Sequence, residues 1–126
     1  MPSTKQVRAA VDAYVAAYGA NDRDAFLDVF ADDGVIVDPV GSPEHSGRQA
    51  RGAFWDTVHQ LTDRMTFDVK DIVVCGNEAV MVFRIHAGSG EGGIQMDAVD
   101  LFEVDDDGKV TLMKAFWDMS RAVPAA

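Results

Sequence analysis

The chain has 126 residues, with 11 Lys and Arg against 21 Asp and Glu, a formal net charge of −10, and 48% of its residues are hydrophobic. That is one domain's length, too apolar for a disordered chain and too acidic for a phosphate backbone, which argues against a nucleic-acid partner. No apolar run approaches the ~20 residues of a membrane span, no basic amphipathic stretch marks a membrane surface, and the first ten residues lack the apolar core of a signal peptide. The expectation is a cytoplasmic protein with a single domain over residues 1–126 and a frayed Val-Pro-Ala-Ala tail.

Ser3 and Gln6 form a capping-box pattern at the start of a first helix. Val7, Val11, Tyr14, Val15 and Tyr18 follow at helical spacing, and Gly19 stops the run. Asn21 or Asp22 caps a shorter second helix with Ala25, Phe26, Val29 and Phe30 as its apolar stripe, ended by Asp32-Asp33-Gly34. Val35-Ile36-Val37 reads as a short strand that runs into Asp38. Residues 39–47 hold two prolines and two glycines and read as a loop. A third helix turns Ala50, Phe54, Val58 and Leu61 inward.

From Met65 the period changes to two. Strands are predicted from Met65 to Cys75, over 79–86, over 94–104 and over 109–119. Gly76-Asn77, the glycine-rich stretch 88–93 and Asp105-Asp106-Asp107-Gly108 supply the turns. Helices gathered before a run of antiparallel strands indicate an α+β fold. Strands apolar on both faces need more cover than three helices give, and a homodimer answers that need.

Asp100 is the most informative position. Its strand face reads Ile94, Met96, Ala98, Asp100, Phe102, Val104, so a carboxylate sits in an apolar row. An unpaired buried carboxylate tends to protonate instead. The row fits an edge position, an Arg pairing, or a neutral acid kept as a hydrogen-bond donor. Asp38 reads either as a turn aspartate accepting loop N–H bonds or as a general base at a pocket mouth. Tyr14 and Tyr18 fit ordinary core tyrosines. His45, His59 and His86 lack metal-ligand spacing. Cys75 is the only cysteine, which excludes an internal disulfide, and it reads as an inert core thiol. Phe30, Phe54, Trp55, Met81, Phe83, Met113, Phe116 and Trp117 fit a core or an apolar cavity equally well.

The segment from Phe30 to Ser42 with Asp38-Pro39 inside it, then Ser46-Gly47-Arg48 and Phe54, resembles the bacterial ketosteroid isomerases of the nuclear transport factor 2-like and SnoaL-like superfamily. Tyr14-Val-Ala-Ala, Val99-Asp100 before Phe102, and Ala115-Phe-Trp-Asp118 extend the likeness over nearly the whole chain. The resemblance implies a cone-shaped, mostly antiparallel curved sheet wrapped around three helices with a deep apolar pocket. It implies Asp38 as the proton-moving base, with Tyr14 and a protonated Asp100 as donors to a developing enolate oxygen. Phe54, Trp55, Met81, Phe83, Met113 and Trp117 are implied to bind a steroid-like hydrophobic ketone, with no cofactor and no metal. Phe30 and Trp55 stand where the family carries tyrosines that support the oxyanion tyrosine, and Glu44 and His45 add polar groups near the mouth. A polyketide-cyclase-like enzyme on another carbonyl compound and a non-catalytic dimeric binder of hydrophobic ligands are the competing readings.

Overall fold

Ser3 accepts from the Gln6 N–H while the Gln6 side chain accepts from the Ser3 N–H, and this box opens α1 (Thr4–Ala20). The helix runs past Gly19 to a left-handed cap at Asn21. Asp22 then caps α2 (Arg23–Asp28) through the Ala25 N–H. In this computed structural model, which describes residues 1–88 and 92–124, α3 spans Arg48–Leu61. The strands are β1 (Phe30–Val37), β2 (His45–Ser46), β3 (Met65–Cys75), β4 (Glu78–Ala87), β5 (Ile94–Val104), β6 (Val110–Phe116) and β7 (Val123–Pro124). They form one sheet in the order β2-β1-β6-β5-β4-β3, with β7 paired to β5. All pairings are antiparallel except β1 with β6. Register breaks in β1, β3 and β5 bend the strands and curl the sheet. The curved sheet wraps α1 to α3, so the expected α+β cone is borne out.

Several local expectations are corrected. The second helix ends at Asp28, and Ala31 to Gly34 lie in β1 rather than in a turn. The Val110 N–H donates to the Val29 carbonyl at 3.0 Å, and Phe30 registers with Val110. Pairing from far along the chain thus overrides the local Asp-Asp-Gly signal. Gly34 fits that approach because a Cβ there would stand 2.8 Å from the Val110 carbonyl oxygen. His45 and Ser46 pair with Ile36 and Val35 instead of looping freely. Leu61 is 84% exposed rather than inward. Cys75 is exposed, because it ends β3 at the sheet edge. Val123 and Pro124 are held against Gln95 and Ile94 rather than frayed. Ala125, Ala126 and the 89–91 part of the glycine-rich turn lie outside the described residues. No helix among the described residues is long and apolar enough to cross a membrane.

Candidate active site

The concave side of the sheet and the helices enclose a cavity of about 530 Å³, within the usual range for small-molecule sites. Helices and strands from along the whole chain supply its lining. Tyr14 and Tyr18 come from α1, Phe54 from α3, Phe83 from β4 and Asp100 from β5, while Asp38 and Trp117 follow directly on β1 and β6. Pro39, His45, Phe67, Ile85, Met96 and Ala115 complete the deeper wall.

Helical spacing of four puts Tyr14 and Tyr18 on one face, each 2% exposed, with ring centroids 5.2 Å apart. Phe26, Phe67 and Phe102 pack around Tyr14. Strand alternation turns Asp100 to the same side, between Met81 and Ala115 in register, at 2% exposure. Burial pushes its carboxyl well above the ordinary range; the negative charge of Asp38 adds to that, and a hydrogen bond with Tyr14 opposes it. Burial also raises Tyr14, as do Tyr18 and the two carboxylates. Neither Asp38 nor Asp100 joins any ion pair among the described residues. The Arg pairing and the edge position left open for Asp100 are therefore not found.

Asp38 is held at the handover from β1 to the loop, where the Val40 N–H donates to the Ala115 carbonyl at 2.9 Å. The Trp117 indole Nε1–H donates to Asp38 Oδ1 at 2.6 Å. Burial raises the Asp38 carboxyl, while the Trp117 bond and the charge of His45 pull it back down. A carboxylate raised in this way is more basic than an exposed one, which is what proton abstraction asks of it. In one apolar enclosure stand a tyrosine O–H and two carboxyls, both raised by burial and one of them fully buried. That set can remove a proton next to a carbonyl and stabilise the resulting oxyanion.

The structure brings Tyr14, Asp38, Asp100, Phe54, Phe83 and Trp117 together at the cavity. Trp55, Met81 and Met113 were expected in its wall and lie outside it. Met81 and Met113 are fully buried in the core, and Trp55 stacks between Tyr18, Phe26 and His59. Alternation alone could not separate the cavity wall from the packed core behind it. Tyr18 is a wall residue that the sequence left as plain core; its spacing from Tyr14 was the available signal. His45 also enters the wall, whereas Glu44 is exposed. No group of three or more metal-ligating side chains occurs among the described residues.

Residues 11–113 match the SnoaL-like domain, and the chain belongs to that family. It is 27% identical over 112 residues, 89% of either chain, to a steroid Delta-isomerase of Nocardioides simplex. In structure it is similar to an epoxide hydrolase/cyclase-like enzyme of pyran ring formation in the polyether salinomycin. That match has a TM-score of 0.88 and 21% identity, covering 99% of this chain and all of the other. A Mycobacterium tuberculosis protein in complex with estradiol-17beta-hemisuccinate matches with a TM-score of 0.83 and 24% identity, over 94% of this chain and 98% of its own.

Proposed function

We propose that the protein is a cofactor-independent isomerase that moves a double bond into conjugation with a ketone on a steroid-like substrate. One observation carries the reading. Tyr14, Asp38 and Asp100 line one apolar cavity, and neither carboxyl joins a salt bridge among the described residues. The Asp38 carboxylate takes a proton from the carbon between the ketone and the double bond. The C–H electrons pass into the carbonyl, giving a dienolate whose oxygen accepts from Tyr14 and protonated Asp100. Asp38 returns the same proton two carbons along, so no co-reactant is consumed. Phe54, Phe83 and Trp117 flank the ring system. The relatives named for steroid chemistry or seen with a steroid ligand support this substrate class.

The test is ultraviolet absorbance on a Δ5-3-ketosteroid. Growth of the conjugated enone band above background is the expected result, and its absence overturns steroid isomerisation. A second reading is an acid–base enzyme of the polyketide-cyclase or epoxide-opening kind, favoured by the salinomycin enzyme's likeness in fold. It would use Asp100 as acid and Asp38 as base, and it predicts turnover of a carbonyl or epoxide substrate with no enone signal. A non-catalytic binder of hydrophobic ligands predicts steroid binding without turnover.

The proposal includes a homodimer through the outer face of the sheet. There Val82, Val99 and Phe116 lie in one cross-strand row and Val73, Val80 and Leu101 in the next. Val73, Val82 and Phe116 are 56%, 40% and 46% exposed in the single chain, an apolar patch of the kind that marks an interface.

A further inference from the structure

His45 pairs with Ile36 across the antiparallel β1–β2 ladder. Directly opposed residues project to the same face, and so do residues two apart on one strand. Asp38 follows directly on β1, two residues beyond Ile36, so the β1–β2 pairing brings His45 alongside the end of the strand that delivers Asp38. Both line the cavity. The imidazole packs on Phe54 of α3, centroid to centroid 5.0 Å, which limits where it can swing.

We propose that His45 is a positioning residue for Asp38: braced on Phe54 in the same cavity wall, its imidazole, when it carries a proton, keeps the carboxylate in the ionised, proton-accepting form. The proposal rests on Asp38 being the base. It adds a cation to a site otherwise built from neutral and acidic groups. Facing Asp38 are Tyr14 and Tyr18 from α1 and Asp100 from β5, while β2 supplies His45. The cavity-facing part of α3 supplies Phe54, Thr57 and Val58, none of which titrates in this range. Trp117 donates without carrying charge. Asp100 and the tyrosines all oppose a negative Asp38 once ionised, so among the described residues the group that favours it by charge is His45.

The Trp117 indole N–H resonance reports on this carboxyl because it donates directly to it. Its chemical shift is followed against pH in the wild-type protein, with Asp38→Asn identifying the inflection that belongs to the carboxyl. His45→Gln and His45→Phe are expected to move that inflection up by ~0.5–1 pH unit, and His45→Arg, a permanent cation, is expected to return it to the wild-type position or below. An inflection unmoved in both neutral variants, or unrestored by Arg, overturns the proposal. The acid limb of kcat/KM on a Δ5-3-ketosteroid should shift by the same amount. Shifted resonances without turnover would retain the His45–Asp38 pairing and remove the isomerase reading. Unshifted resonances in an active enzyme would do the reverse.

Discussion

At the scale of single residues, Asp100 binds its proton more tightly in the folded chain than in the unfolded one, because burial disfavours its charged form. A group raised in this way contributes stability that is fully present below the ordinary carboxylate value and is lost as pH rises through the folded one. Asp100→Asn cannot ionise, so it should gain on the wild type in urea unfolding from pH 4 to pH 8. A gap that stays constant over that interval would mean Asp100 ionises equally easily folded and unfolded. In turnover, Asp38→Asn should lose ~10²–10⁴ in rate with its circular dichroism unchanged. Asp100→Asn keeps a donor at the oxyanion and should retain more activity than Asp100→Leu; equal losses would count against the donor role. These two aspartates were legible in sequence for different reasons. Asp100 broke an apolar alternation, whereas Asp38 was one reading of a common turn until the resemblance singled it out.

Among the elements, β1 matters most to the site, since it delivers Asp38, and its first half is the part that the sequence misassigned. Asp32-Asp33-Gly34 has turn composition, yet it lies within β1 as an irregular stretch between Phe30 and Val35, which register with Val110 and Leu112 of β6. A buried cation holds that irregular stretch. Arg51 of α3 is 1% exposed, its Nη1 donates to the Gly34 and Asp32 carbonyls at 2.7 and 3.4 Å, and its guanidinium lies 5.2 Å from the Phe30 ring centroid. Nothing in the sequence marked Arg51, because an Arg one turn after Arg48 at the start of a helix reads as a surface charge. Arg51→Met would leave these carbonyls without that donor and should cost ~1–3 kcal/mol in denaturant unfolding. A loss within error would show that β6 alone secures β1. By contrast α1, β4 and β5 were readable in advance, because each is long, regularly periodic and capped or turned by local residues.

For the whole molecule, the two faces of the sheet have different work. The concave face closes on the helices and the cavity. The convex face sets apolar rows beside the exposed Arg84–Asp97 pair at 2.9 Å and the Lys70–Asp68 pair at 2.7 Å. Such exposed pairs contribute little to stability but can orient one copy against another. Light scattering at micromolar concentration should give twice the chain mass. Val82→Lys, in one of these apolar rows and away from the cavity, should lower it to one chain mass. A wild-type monomer would remove the dimer from the proposal.

By itself the sequence determined the class of fold, the order of its helices and long strands, and the oddity of a carboxylate in an apolar row. Those features follow from periodicity and from chemistry local to each segment. Tertiary structure alone decided that β1 pairs in parallel with β6. It also decided that Trp117 donates to Asp38, that Tyr18 and His45 enter the cavity wall, and that Trp55, Met81 and Met113 stand behind it. A strand's pattern says which side of the sheet a residue faces. Whether that side meets packed side chains or open space depends on how far the sheet curls over the helices, and that is set by contacts between segments distant in the chain.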